Sequence, residues 1–127
     1  MKQRIVSDAV PEPPPGTFSN AFAVDGTIYI AGQTAGLPDG RVVGDGDVRA
    51  QAVEVFRRIQ ALLAAAGATM DDVVKLTIYL TDMSTRDDLA EARRQFFAGD
   101  FPASTLIEVS ALAQPGLLVE VEAIAVG

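Results

Sequence analysis

One long amphipathic helix set among short strand-like runs is the feature that most limits what this chain can fold into. From Val48 to Ala66, apolar residues recur at spacings of three and four, which predicts a helix with one buried face. Asp45 and Asp47 precede it, where the helix dipole favours acidic side chains, and Gly67 is a typical C-terminal stop. The outer face, which we expect to be exposed to solvent, carries Arg49, Glu54, Arg57 and Arg58.

The remaining periodic segments predict six short strands and a second helix. Asp25-Gly26 between two apolar runs predicts a type I′ hairpin, and Ser84 with Asp87 resembles a capping box for a helix over Thr85–Phe97. This order indicates an α+β fold with both helices on one face of a mixed sheet. The other face carries small or apolar residues, so we expect copies of the chain to associate there. The predicted strands are Lys2–Val6, Phe22–Val24, Thr27–Ala31, Val73–Thr81, Ser104–Val109 and Leu117–Val126.

Composition limits both the partners and the chemistry. The chain is expected to form one domain over residues 1–127, with 49% hydrophobic residues to build its core. A net charge of −7 disfavours nucleic acid and anionic membrane surfaces as partners. Without cysteine or histidine, disulfides, thiolate nucleophiles and Ser-His-Asp chemistry are excluded. We predict no metal and no cofactor and, because no signal peptide or membrane-length apolar stretch is apparent, a cytoplasmic location.

Five segments spaced along nearly the whole chain carry a family likeness. They are Gly16–Ala21, Ile28–Gln33, Ala64–Gly67 with Asp72–Lys75, Phe101–Ser104 and Leu117–Ala125. Together with their spacing, they resemble the RidA/YjgF family, the reactive-intermediate deaminases. The resemblance implies a chorismate-mutase-like α+β fold and a homotrimer with a small-molecule cleft at each subunit interface. It also implies hydrolysis of small enamines and imines to ketoacids and ammonia.

The same likeness assigns site residues by position. Glu120, in the last strand, matches the glutamate that positions or activates water, and we predict that it is the catalytic residue. Glu122 points to the same face of that strand and is interpreted as structural. The substrate-binding positions implied by the resemblance are Phe18, Ala31, Gly32, Gln33, Ala90 and Ser104.

Several of these positions depart from the family pattern. Ser104 stands where the family has its substrate-binding arginine, and Phe18 stands where it has a tyrosine. Ala31 and Ala90 replace a frequent serine and a usual asparagine. An arginine fork holds a carboxylate by two charge-assisted hydrogen bonds, whereas a serine offers one neutral hydroxyl. The cleft is therefore expected to favour a less anionic, more apolar ligand, unless Arg41, Arg49, Arg86 or Arg93 of a neighbouring subunit restores the charge.

These observations predict hydrolysis or tautomerisation of a small reactive imine or enamine with a non-standard substrate. The missing arginine and tyrosine keep an alternative open, a member of the family that binds a small molecule or regulates without turnover. A holdase or other interaction protein is a third interpretation, for which an exposed apolar patch would be the support. RNA cleavage, with which some family members are labelled, is disfavoured by the acidic composition and the absence of histidine.

Overall fold

The predicted order of strands and helices is confirmed. The computed structural model describes residues 1–127, and its six strands form one mixed sheet in the order β1-β2-β3-β6-β4-β5. Only β4 and β5 run parallel, and every other neighbouring pair is antiparallel. Neither helix combines the length and the apolar composition that a membrane span requires. The elements are β1 (Lys2–Ile5), β2 (Ala21–Val24), β3 (Thr27–Gln33), α1 (Val48–Ala65), β4 (Val73–Leu80), α2 (Arg86–Arg93), β5 (Ala103–Glu108) and β6 (Val119–Val126).

Both helices pack on one face of the sheet, as predicted, and build the core there. In β6, Val119, Val121, Ala123 and Ala125 are buried, while the residues between them are only partly buried and face the other side. This alternation is the ordinary consequence of a strand with one face on the core. We call the side away from the helices the open face. The fully buried partners from α1 and β4 are Val55, Phe56, Ile59, Leu62, Leu63, Leu76, Ile78 and Leu80.

Two local signals in the sequence are confirmed. Asp25 and Gly26 have φ values of 49° and 83°, and positive φ at both positions is the geometry of a type I′ turn between β2 and β3. Asp47 caps α1, because its side chain accepts a hydrogen bond from the amide of Ala50. The Asp47 cap thereby fixes the start of the helix on which the core depends.

The start of the second helix was predicted wrongly in its detail. Ser84 does not cap α2; its amide and its hydroxyl instead donate to Oδ1 of Asp82, at 2.9 and 2.7 Å. Asp82 is thereby the cap of a 3-10 turn, Met83–Thr85, that precedes α2. An aspartate two residues before its donor makes this turn locally, so it competes successfully with the capping box.

The second helix also ends at Arg93 and not at Phe97. Beyond that point the amide of Phe96 donates to the carbonyl of Arg93, a three-residue spacing that tightens the chain. The tighter winding turns Phe96 and Phe97 onto Phe56, with ring centroids 5.6 and 5.8 Å away. The aromatic rings are therefore packed against Phe56 just beyond the point where the regular helix stops.

Two charged residues of α1 are buried, although the sequence predicts that both are exposed. Glu54 and Arg58 are 7% and 5% exposed. Nε of Arg58 donates to Oε2 of Glu54 at 2.8 Å, and its Nη1 donates to the carbonyls of Thr34 and Gly36 at 2.8 and 2.9 Å. Burial alone would raise the pKa of Glu54, but hydrogen bonds from Arg57 and Arg58 outweigh it and hold that pKa below its ordinary value. The pair therefore clamps the loop after β3 to the helix.

Gln51, one turn before Glu54 on α1, fixes a second loop to the helix. The side-chain amide of Gln51 donates to the carbonyl of Gly116 at 3.0 Å, and its oxygen accepts from the amide of Leu118 at 2.9 Å. Gln51 is fully buried, so these bonds replace water. The segment that leads into β6 is thereby fixed against the helix.

Replacing Arg58 should destabilise the protein much more than replacing its neighbour. Arg58→Leu removes the partner of a buried carboxylate and the donor to two loop carbonyls, and we expect a loss of about 3 kcal/mol in the free energy of unfolding. Arg57→Leu is the matched control, because Arg57 also bonds Glu54 but is 55% exposed, and it should cost less than about 1 kcal/mol. Urea unfolding at one protein concentration measures both, and equal losses would contradict the clamp.

Candidate active site

A β-bulge in β3 marks the point where the predicted site begins. Ile30 pairs with Ala123 and Gln33 with Val121, so two residues of β3 lie opposite one residue of β6. The extra residue bends the strand, a device often found beside functional sites. Within the bulge, the amide of Ala31 donates to the carbonyl of Asn20 at 2.8 Å. The Ala31 amide is therefore already used and is not free to hold a ligand.

Gly32, also in the bulge, makes room for the carboxylate of Glu120. A Cβ atom built on Gly32 would lie 2.0 Å from Oε2 and 2.8 Å from Cδ of Glu120, far inside van der Waals contact. The Glu120 carboxylate therefore packs against bare glycine backbone, a position that no other residue at 32 would allow. Two residues that the sequence predicts for the site are thus direct neighbours.

The surroundings of Glu120 make its charge costly. Glu120 is partly buried and receives no hydrogen bond from a protein group. Burial raises the pKa of Glu120 above its ordinary value, and the nearby charge of Glu122 raises it further. A carboxyl in such surroundings can exchange protons closer to neutral pH than an exposed one.

Glu122 has a hydrogen-bond partner in the same chain. The hydroxyl of Tyr79 in β4 donates to Oε1 of Glu122 at 2.9 Å. This hydrogen bond, and then burial, raise the pKa of Tyr79. In the pairing of β4 with β6, Tyr79 stands opposite Glu120, so all three side chains lie on the open face. Glu122, which the sequence analysis interprets as structural, therefore has a hydrogen-bond partner within its own chain.

A groove of about 660 Å³ adjoins this cluster on the Gly32 side. One wall is the proline-rich segment Pro11–Pro15, and the other is the loop that Arg58 clamps. Phe18, Gly32 and Gln33 line the groove, so the structure brings these three predicted residues together. Phe18 is 61% exposed, which fits a groove wall and not a core aromatic.

Asn20 ties the two walls of the groove to each other. Its side-chain amide donates to the carbonyl of Pro11 at 3.0 Å, and its oxygen accepts from Nε2 of Gln33 at 3.3 Å. Asn20 is 5% exposed, so these hydrogen bonds are sheltered from water. The proline-rich segment is therefore held in place over the end of β3.

Ala31 belongs to a different hollow on the open face. That cavity measures about 420 Å³ and has Tyr29, Lys75, Thr77 and Glu122 among its lining residues. Nζ of Lys75 donates to Oγ1 of Thr105 at 2.6 Å, which places a positive charge on the open face. The bulge therefore separates two hollows, with Ala31 on one side and Gly32 on the other.

The remaining predicted residues lie apart from Glu120 within one chain. Ser104, in edge strand β5, aligns with buried Leu76, so its side chain points to the helix face. Glu120 points to the open face, about 10 Å away laterally at the usual spacing of strands. Oγ of Ser104 lies 3.5 Å from Nη1 of Arg93 in α2, and Ala90 lies one turn before Arg93 on that helix. Ser104 and Ala90 thus form a second group.

Several residues that shape the site were not predicted from the sequence. Asn20 and Gln51 carry no local signal, because their hydrogen bonds join segments far apart in the chain. For Tyr79 the sequence predicted only the face, because alternation along β4 places it on the face away from the buried Leu76, Ile78 and Leu80. Its contact with Glu122 follows only from the pairing of β4 with β6.

The chain resembles known proteins over nearly its whole length. A family model described as endoribonuclease L-PSP matches residues 10–127. The 2-iminobutanoate/2-iminopropanoate deaminase of Homo sapiens is 34% identical over 124 residues, which cover 98% of this chain and 90% of that relative. The structure of RidA from Psychrobacter sp. PAMC 21119 matches with a TM-score of 0.87 at 35% identity, covering 98% of this chain and 99% of the other. E. coli TdcF, solved with bound serine, matches with a TM-score of 0.88 at 26% identity and 98% coverage of both chains.

The two helices on one face of a six-stranded mixed sheet therefore define a small α+β protein of the YjgF-like class. The chain belongs to the RidA/YjgF family, the family of the RidA-type imine deaminases. The expectation of that family from five sequence segments is confirmed.

Gly32→Ala should move the Glu120 carboxylate without unfolding the protein. The new methyl group meets the flexible end of a side chain, so we expect Glu120 to swing away at a cost of less than about 1 kcal/mol. Its pKa should then fall toward the ordinary value, because the carboxylate becomes more exposed to water. Titration of the ¹³C-labelled carboxyl by NMR measures this, with the signal assigned by its loss in Glu120→Gln.

Gly36→Ala is the matched control for that experiment. A Cβ atom at Gly36 would lie 2.2 Å from Oε1 of Gln114, so it also displaces the end of a flexible side chain. It should leave the titration of Glu120 unchanged. A Glu120 pKa that stays raised in Gly32→Ala would contradict the packing described here.

Proposed function

We propose that this protein hydrolyses a small imine or enamine in the cytoplasm, with Glu120 as the catalytic residue. The observation that carries the proposal is the Glu120 carboxylate, partly buried against Gly32, which itself lines the groove. A carboxyl without a hydrogen-bond donor in such a position costs stability, and groups of this kind cluster at functional sites. Membership of the family of RidA-type imine deaminases supports the same reaction.

The chemistry needs one proton carrier and one water molecule. The Glu120 carboxylate takes a proton from water as the oxygen attacks the carbon of a protonated C=N bond, which gives a carbinolamine. The Glu120 carboxyl then returns that proton to the nitrogen, the C–N bond breaks to release ammonia, and the Glu120 carboxylate accepts the hydroxyl proton as the carbonyl forms. General acid–base help of this kind contributes about 10²–10⁴-fold.

We further propose that the cleft is completed between subunits of a homotrimer. Within one chain, Ser104 and Glu120 point to opposite faces of the sheet, so they can meet only if a second copy brings them together. Every residue of edge strand β5 is exposed, including the apolar Leu106 and Ile107. An exposed apolar edge strand of this kind favours association.

We propose that the substrate carries no carboxylate, or that this protein binds a substrate carboxylate differently from other members of the family. The prolines of one groove wall and Phe18 favour an apolar substituent, while Gln33, Thr34 and Gln114 offer polar groups to the rest of the ligand. Of the four arginines considered from the sequence, Arg41 and Arg49 pair with Asp39 and Asp88. The guanidinium of Arg93 approaches Ser104. Arg86 forms no ion pair within the chain, but only Arg93 contacts Ser104, so Arg93 is our first candidate for any carboxylate contact.

Two other functions fit fewer observations. Binding without turnover is favoured by Ser104 and Phe18, which replace the usual arginine and tyrosine. RNA cleavage, named in the description of the family model, is disfavoured by the net charge of −7 and the absence of histidine. Binding without turnover makes a different prediction in the assay below.

An imine-quench assay tests the proposal. An amino acid oxidase supplies imines that carry a carboxylate, an amine oxidase supplies ketimines without one, and semicarbazide traps whatever imine remains. We expect the wild type to deplete the trapped ketimine, and Glu120→Gln to lower that rate by about 10²–10⁴-fold. Glu91→Gln, which changes an exposed carboxylate on α2, is the control and should match the wild type.

Two further variants in the same assay report the substrate class. Ser104→Arg should shift the preference toward imines with a carboxylate, because it restores a bidentate cation. Arg93→Gln should lower only the activity on those imines. A wild type that depletes no imine, but binds one tightly in calorimetry, would overturn hydrolysis in favour of binding without turnover.

A further inference from the structure

Two side chains on the open face next to Glu120, those of Tyr79 and Glu122, are joined by a hydrogen bond that the proposed reaction has not used. Tyr79 lies opposite Glu120 across the pairing of β4 with β6, and Thr77 lies opposite Glu122 in the same pairing. The Tyr79 hydroxyl nevertheless donates to Glu122, at 2.9 Å, and not to Glu120. Of the two carboxylates, one therefore has a donor and the other has none.

We propose that Tyr79 and Glu122 are positioning residues for Glu120: the Tyr79 hydroxyl fixes the Glu122 carboxylate beside Glu120, so that Glu120 is the one of the pair that exchanges the proton. The inference rests on the proposed role of Glu120 in hydrolysis. The inference gives Glu120 and Glu122 different roles. Their spacing in β6 alone would not distinguish the two residues.

The physical reason is that two neighbouring carboxyls do not ionise independently. Glu120 and Glu122 are two residues apart in one strand, about 6.6 Å along it, and share a face. When two such groups interact, one keeps its charge and the other holds its proton to a higher pH. A hydrogen-bond donor favours the charged form of the group that accepts it, and Tyr79 supplies that donor to Glu122 alone.

The other charged and titratable groups on this face favour the same division. From β4, Lys75 lines the hollow that contains Glu122 and so adds a positive charge on its side. From β3, Tyr29 lines that hollow too, while Gly32 against Glu120 carries no charge. The open-face residues of β5, Ala103, Thr105 and Ile107, are uncharged. No cation faces Glu120 within the chain, so nothing there offsets the effect of Glu122.

Carboxyl titration by NMR tests the inference on the intact protein. With ¹³C-labelled glutamate, Glu120 is followed in the wild type, Tyr79→Phe and Glu122→Gln, its signal assigned by loss in Glu120→Gln. We expect the Glu120 titration to move to lower pH in both variants, further in Glu122→Gln, because the charge itself is removed there. Tyr29→Phe, which removes the other tyrosine hydroxyl of the chain, should not move it.

The outcomes separate the inference from the proposed reaction. A Glu120 titration that is unchanged in both Tyr79→Phe and Glu122→Gln overturns the positioning role, even if the protein hydrolyses imines. A titration that moves as expected in a protein without imine activity upholds the pairing and overturns hydrolysis. Where activity is present, the acidic limb of its pH profile should shift in the same direction as the Glu120 titration.

Discussion

The position of β6 between β3 and β4 is the constraint on which the candidate site depends. The last strand of the chain pairs with both neighbours, and the register of the two pairings places Glu120 beside the bulge of β3 and opposite Tyr79. A slip of one residue would turn both glutamates of β6 into the core. Gln51 opposes such a slip, because it bonds Gly116 and Leu118 just before the strand begins.

Buried polar contacts of this kind link the helix layer to the candidate site. Arg58 fixes the loop after β3, and Asn20 fixes the proline-rich segment that faces it across the groove. The groove next to Gly32 is thereby held open by buried polar contacts on both walls, as preorganised binding sites require.

The fold could be predicted from the sequence wherever the signal was local. Alternation over Val73–Thr81 and the spacing in Val48–Ala66 assign the buried faces of β4 and α1 correctly. The family likeness names Gly32 and Glu120 as site residues, and the structure adds that they are in contact. Contacts between distant segments could not be predicted. Glu54 and Arg58 look like solvated charges until the loop carbonyls that Arg58 binds are known. Ser104 could not be assigned to a face until β5 was found to pair with β4.

The central claim is that Glu120 is kept for chemistry at a cost in stability, and the pH dependence of unfolding for Glu120→Gln tests it most directly. Because the pKa of Glu120 is raised in the folded state, folding favours its protonated form, and stability is lost as the pH rises through that folded pKa. The account predicts a variant more stable than the wild type near pH 8, with the difference vanishing below about pH 4, where Glu is protonated in both states. A Glu120→Gln variant that is less stable than the wild type near pH 8 would contradict it, since the carboxylate would then be holding the fold together.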